Sequence, residues 1–347
     1  MNADVRPRRS DGDPSRPEVP GALPVARIAQ LAEEILGRVA TVVVGMDEAV
    51  ELALASILAG GHVLFEDLPG LGKTLAARSL AAALGLDFRR LQCTPDLLPA
   101  DITGSFVYSP ATSEFAFRPG PVFTGLFLAD EINRTSPKTQ SALLEAMAEG
   151  QVSVEGQSFR LPPPFHVVAT ANPIEYEGTY ALPEAQLDRF LVRLEVGYPD
   201  RDGETQILLN RVERRREVAD VDPVVDSSTL LAMQRGVESV YVEPDVARYC
   251  VDVAAATRRH RAIEVGASPR GSQGLMLLGR ALAVVDGRDF VTPDDVKRVA
   301  VPVLAHRLTL TTQAWADGTR TADVVSAIVA DVSGPPTVGR RPPAGPR

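Results

Sequence analysis

Apolar residues recur at helical spacing from Pro24 to Val39, with Val25, Ile28, Leu31, Ile35 and Leu36 on one face. The β-branched run Thr41-Val42-Val43-Val44 ends at Gly45, and Met46 to Ala59 predicts a second helix, broken by Gly60-Gly61. His62 to Phe65 reads as a short apolar strand, Asp67 to Gly72 as a Pro/Gly loop, and Lys73 to Leu84 as a helix stopped at Gly85. Phe88 to Gln92 fits a strand. Leu126 to Ala129 and Phe165 to Thr170 are continuous apolar runs, the pattern of strands buried on both faces. Between them, Ser136-Pro137 opens a helix to Glu149, and Gln151 to Arg160 alternates around Glu155-Gly156 as a hairpin does. Pro183 to Phe190 predicts a short helix and Leu191 to Val196 a strand. After Tyr198-Pro199-Asp200 the texture changes, and helices are expected over 203–217, 228–235, 244–261, 269–286 and 293–304. Strand and helix alternate first, and helices alone follow. The fold class is therefore α/β: a parallel-sheet core with helices on both faces over 24–200, then a small all-helical domain over 201–332.

Composition adjusts this picture little. The chain has 347 residues, 45% hydrophobic and 23% charged, which suits about two ordinary globular domains. The net charge of −9 argues against coating nucleic acid or anionic membrane. Aromatic residues at 5%, with one Trp, argue against a base-stacking platform. No apolar run reaches the roughly 18 to 20 residues that span a bilayer. Residues 1–23 lack the apolar segment of a signal peptide, and 333–347 hold five Pro and three Gly; both read as disordered tails, with Arg340-Arg341 solvated. Cys93 and Cys250 have no Cys or His at zinc spacing and read as two buried thiols of a cytoplasmic protein, a long-range disulfide being the alternative. The four scattered histidines read as non-ligands.

Candidate chemistry begins at Asp67-Leu68-Pro69-Gly70-Leu71-Gly72-Lys73-Thr74, which follows a strand and opens a helix, the context a phosphate loop requires. Gly70 and Gly72 let backbone N–H groups face inward, and the helix N-terminus adds partial positive charge. Lys73 would reach the β- and γ-phosphates, the Thr74 hydroxyl would ligate Mg²⁺, and the stretch Pro69 to Leu75 would bind the nucleotide. The pattern's first glycine is Asp67 here, at an entry turn expected to need an unusual backbone angle that Asp tolerates. Leu126-Phe127-Leu128-Ala129-Asp130-Glu131 delivers two carboxylates at a buried strand's C-terminal edge, where open α/β sheets bind ligands. Asp130 would hold Mg²⁺, and Glu131 would act as general base on the attacking water. Asn172 ends the next buried strand and either orients that water or forms a turn before Pro173. Arg189 and Arg270 are either solvated surface groups or cations delivered to a γ-phosphate.

Taken together, these residues resemble the MoxR family of AAA+ ATPases, P-loop NTPases with a helical lid. The likeness extends through Asp96 to Gly104, Phe117-Arg118-Pro119-Gly120-Pro121, Asp130 to Arg134, Thr139 to Met147, Glu177-Gly178-Thr179-Tyr180, Leu182 to Phe190 and Gly266-Ala267-Ser268-Pro269-Arg270, covering roughly 24–332. The resemblance implies ATP and Mg²⁺ as cofactors. It makes Asn172 sensor 1, Arg189 an arginine finger acting on a neighbouring subunit's ATP, and Arg270 sensor 2 reaching its own subunit's ATP. Val44 and Gly45 would line the adenine pocket. Thr103 to Phe117 and Gln151 to Arg160 would be insertion hairpins facing a ring pore or a partner. It further implies a nucleotide-favoured ring, a hexamer as in the family, with chaperone-like remodelling of a protein client, often one with a von Willebrand factor A domain. No nucleic acid and no membrane insertion are expected. Ala171 and Cys93 depart from the family pattern without removing a catalytic group. The competing readings are a magnesium-chelatase-like motor subunit, a nucleic-acid motor or loader, and a scaffold that binds ATP without turnover.

Overall fold

Every residue of the strand Leu126–Asp130 is buried, and the side chains alternate between two apolar clusters: Leu126 and Leu128 on one face, Phe127 and Ala129 on the other. Such a strand must lie between two layers. The computed structural model describes residues 21–111, 113–173, 179–215 and 220–335. Through the first half of the chain the order is α1 (Val25–Ala40), α2 (Asp47–Leu58), β1 (Val63–Glu66), α3 (Lys73–Ala83), β2 (Phe88–Gln92), α4 (Pro99–Thr103), β3 (Gly104–Ser109), β4 (Glu114–Pro119), β5 (Leu126–Asp130) and α5 (Pro137–Glu149). There follow β6 (Gln151–Val154), β7 (Gln157–Arg160), β8 (His166–Ala171), α6 (Glu184–Leu187), β9 (Val192–Leu194), α7 (Arg201–Arg214), α8 (Ser227–Glu238), α9 (Pro244–Thr257), β10 (Ile263–Val265), α10 (Pro269–Val285), α11 (Pro293–Leu304), β11 (Thr309–Leu310), α12 (Thr312–Ala316) and α13 (Thr321–Asp331).

The main sheet is parallel, in the order β2-β5-β8-β1-β9. Its C-terminal edge gathers the ends of β1, β5 and β8, which carry the loop to Lys73, the Asp130-Glu131 pair and Asn172. Helices α1, α2 and α3 cover one face, and α5 with Ile102 and Val152 covers the other. The first cluster does not stop at the sheet: Leu275, Leu278 and Leu282 of α10 join Ile28, Leu31 and Ile35 of α1 in it. The lid helices are thus fastened to the core by continuous apolar packing, the dominant stabilising contribution in a chain of this size.

Two findings refine the expectations from sequence. Among the described residues the lid is helical apart from the antiparallel pair β10 with β11 and an isolated bridge between Tyr241 and Phe290. The chain is already pinned at Leu23, whose N–H donates to the Ala232 carbonyl at 3.1 Å. Residues 1–20 and 336–347, which hold most of both expected tails including Arg340-Arg341, lie outside the described residues, as do Glu177 and Gly178. Cys93 and Cys250 are free and buried, and burial pushes each thiol up to about 12. His62 and His166 are buried core groups whose ring nitrogens meet backbone partners, burial pushing both down to about 4.

Both expected hairpins are present, β3–β4 and β6–β7. They are locked to each other by Phe117 of β4 stacked on Phe159 of β7 at 3.8 Å between centroids, with Phe106 of β3 against both rings. Tyr108 and Phe115 pair farther out on the first hairpin, and Phe115 is 70% exposed.

Candidate nucleotide site

Gly70 and Gly72 adopt φ of +83° and +84°, left-handed values that suit glycine, and Gly72 caps the N-terminus of α3. Lys73 is buried at the start of that helix, and its ammonium donates to the Asp67 carbonyl. Burial lowers its pKa from the usual lysine range, opposed by Asp67, Asp130, Glu131 and Glu66. The Thr74 hydroxyl lies 3.2 Å from Asp130 Oδ2, so the two expected metal ligands meet. Pro69, Leu71 and Leu75 continue the same loop-to-helix segment, with Leu75 packed against the core.

Asp130 and Glu131 would point to opposite faces if β5 simply continued. Glu131 instead adopts φ +57° and ψ +52°, an uncommon conformation for a non-glycine residue, and its N–H donates to Thr170 Oγ1 at 2.8 Å. The Thr170 hydroxyl in turn donates to Asp130 Oδ1 at 2.6 Å. Both carboxylates thereby meet side chains of the edge strand β2. Arg90 Nε donates to Asp130 Oδ2 at 2.8 Å, and Gln92 Nε2 donates to Glu131 Oε2 at 2.7 Å. Arg134 also donates to Glu131 Oε2, at 2.8 Å. Arg90, Gln92 and Thr170 were not singled out from the sequence. The alternation of Arg90 and Gln92 along one strand is visible there, but the pairing of β2 with β5 and of β5 with β8 is not.

Asn172 is buried after β8, and its carbonyl accepts from Asn133 Nδ2 at 3.1 Å. Gly45, at φ +76°, packs against Pro199, while Val44 lies by Gly203. Met46 faces Gly72 of the phosphate loop. Beside Gly45 and Met46 opens a cavity of about 460 Å³, lined by apolar Leu52, Val196, Val301 and Ala305 and by charged Glu48, Arg193, Glu195, Arg298 and Arg320; Val44 is not in its lining.

Arg189 and Arg270 occupy another part of the molecule's contact network. Arg189 follows α6 and donates to the Leu144 carbonyl on α5. Its neighbour Asp188 accepts from Arg307 Nε at 2.8 Å and from Ser268 Oγ at 3.2 Å, with Arg270 at 3.8 Å. Arg307, buried, also donates to the Phe190 carbonyl at 2.7 Å. These contacts tie Arg270 to the Arg189 segment. The described hydrogen bonds and ion pairs connect neither arginine to Lys73, Asp130 or Glu131.

A family model described as "ATPase family associated with various cellular activities (AAA)" matches residues 62–192, and an AAA lid domain model matches 255–328. Chaperone MoxR1 of Mycobacterium tuberculosis is 41% identical over 324 residues, covering 91% of this chain and 85% of its own. The chain belongs to the MoxR family of AAA+ ATPases. YeaC of Bacillus subtilis is 47% identical over 294 residues, covering 85% of this MoxR-family chain and 92% of its own. A crystal structure of a candidate ATPase from Cytophaga hutchinsonii superposes with a TM-score of 0.83 at 36% identity, over 90% of this chain and 97% of the other.

In this MoxR-family loop, Asp67 has a different reason to replace glycine from the one expected. Its φ is not positive, so no unusual angle is being tolerated. Its carboxylate accepts the N–H groups of Leu68 at 2.7 Å, Val196 at 2.7 Å and Gly197 at 2.6 Å, stapling the phosphate loop to the end of β9. Restoring the pattern should therefore harm the protein. Asp67→Gly is expected to lose about 1–3 kcal/mol of stability, read as a melting temperature lower by several degrees in calorimetry; an unchanged or higher value would remove the staple.

Proposed function

We propose that this chain is a Mg²⁺-dependent ATP hydrolase, releasing ADP and phosphate, that works as a nucleotide-favoured ring. The convergence of Lys73, Thr74, Asp130 and Glu131 at one sheet edge carries this reading. The Thr74 hydroxyl and Asp130 carboxylate are hard oxygen donors of the kind Mg²⁺ prefers. When bound, the metal supplies charge neutralisation on the phosphates. Lys73 and the α3 N-terminus bind the phosphates, Glu131 takes the proton of the attacking water, and Asn172 orients that water. The cavity beside Gly45 and Met46 suits the adenine. Arg189 acts on the neighbouring subunit's ATP, which is why a ring, a hexamer in the family, is required; Arg270 reports nucleotide to the lid.

Remodelling of a protein client, of the von Willebrand factor A-domain class that the resemblance implies, completes the proposal. The exposed aromatic pair Tyr108 and Phe115 on a hairpin braced by Phe117 and Phe159 supports a client-facing element. No helix among the described residues is long and apolar enough to cross a membrane. The two free, buried thiols suit a cytoplasmic setting. Lys73→Ala tests the site directly. Losing a buried cation from the phosphate cradle should weaken ATP binding by about 10- to 100-fold, measured by calorimetry, and unchanged affinity would overturn the assignment.

A further inference from the structure

Asp130 uses its two oxygens differently. Oδ1 is occupied on the sheet side by the Thr170 hydroxyl at 2.6 Å. Oδ2 faces Thr74, the other metal donor, at 3.2 Å, and it is on this same oxygen that the Arg90 guanidinium sits, with Nε at 2.8 Å and a terminal nitrogen at 2.7 Å. A guanidinium and a divalent cation are like charges, and they cannot share one carboxylate oxygen in a partly desolvated site without strong repulsion. Asp130 is largely sequestered, its side chain 11% exposed, whereas that of Arg90 is 50% exposed. Arg90 is therefore the partner with room to move. It lines an open groove of about 630 Å³ between α3 and β2, beside Thr74 and Arg78, into which its long side chain can withdraw.

The same guanidinium has a second task. Its terminal nitrogen donates to Gln92 Oε1 at 2.9 Å, and Gln92 uses its amide to hold Glu131 Oε2 at 2.7 Å. Arg90 and Gln92 stand two residues apart on one face of β2, so one strand clasps both acidic side chains.

We infer that Arg90 is a metal-displaced gate: it occupies Asp130 Oδ2 in the metal-free site, competes with the divalent ion for that oxygen, and withdraws when the ion binds. Arg90 is a positioning residue in this scheme, acting through Asp130. The inference rests on the ATP-hydrolysis reading above.

The test is Mn²⁺ binding to the full chain in the presence of a non-hydrolysable ATP analogue, followed by electron paramagnetic resonance. Removing the competitor in Arg90→Ala should tighten Mn²⁺ binding by about three- to tenfold, the range of a partly exposed ion pair broken without replacement. Arg90→Lys restores a cation but not the planar fork, so it should bring Mn²⁺ affinity back to within about twofold of wild type. Gln92→Ala leaves Arg90 in place and should not tighten Mn²⁺. Equal or weaker Mn²⁺ binding by Arg90→Ala, or tightening by Arg90→Lys equal to that of Arg90→Ala, would overturn the gate alone. Absence of Mn²⁺ binding by the wild-type protein with the analogue would instead remove the nucleotide site, and the gate with it. Arg90 is half exposed on an edge strand, so neither substitution opens a cavity in the core.

Discussion

Replacing Glu131 with glutamine should leave ATP bound and reduce turnover by about 10²- to 10⁴-fold, the usual contribution of a positioned general base. The substitution suits the site because Glu131 is held from outside its carboxylate chemistry. Its backbone is fixed by the Thr170 hydroxyl, and its Oε2 accepts from Gln92 and Arg134. A glutamine carbonyl can accept the same two bonds, so the left-handed turn and the neighbouring Asp130 should survive. What a carboxamide cannot do is take a proton from water. Phosphate release would fall while fluorescent-nucleotide affinity stays near wild type. Normal turnover would sink the base assignment, and lost nucleotide binding would mean that Glu131 holds the site together instead. The arrested protein, kept with ATP, is also the form with which to pull down a client.

The parts of this site that lie along a continuous run of chain could be read without coordinates. A buried strand, a Gly-rich loop and a helix beginning at Lys73 announce a phosphate cradle, and four apolar residues before Asp130-Glu131 announce a strand end. What depends on sheet order was not legible. β2 pairs with β5 across α4 and the first hairpin, so nothing in the sequence puts Arg90 on Asp130 or Gln92 on Glu131. The left-handed backbone of Glu131 was equally hidden, because a charged residue gives no sign of a conformation imposed by tertiary contacts. Asp67 shows the converse error: a residue out of pattern was given a local reason, whereas its partners, Val196 and Gly197, arrive from the far edge of the sheet. Short elements failed for lack of length. β10 and β11 have three and two residues, too few for a period, and α4 has five. α13 is a different case; its Val324, Val325 and Ile328 do face the core, but they sit in a stretch read only as the end of the lid.

Arg189→Ala should by itself cost on the order of 10³- to 10⁵-fold in turnover if its guanidinium meets a developing phosphoryl charge. Arg189 is carried on a segment held from two sides. Its own side chain donates to the Leu144 carbonyl, and Asp188 is clamped by the buried Arg307 with Ser268 and Arg270 nearby. That anchoring belongs to α6 and the lid, while the phosphate loop and the acidic pair sit at the ends of β1 and β5. A finger working on a neighbouring subunit is therefore separable from the site of its own chain. Arg189→Ala keeps a complete site and lacks the finger; Glu131→Gln keeps the finger and lacks the base. Each should be nearly inactive alone. Mixed in equal amounts under ATP, a pair becomes competent wherever an Arg189→Ala site meets the Arg189 of a Glu131→Gln neighbour. Random assembly should then restore up to about one quarter of wild-type phosphate release, the product of two even probabilities at each head-to-tail contact. Release that stays at the sum of the two parents would show that Arg189 serves its own subunit or none. A recovered fraction would establish that the active unit is built between two copies, with Arg189 of one completing the site of the other.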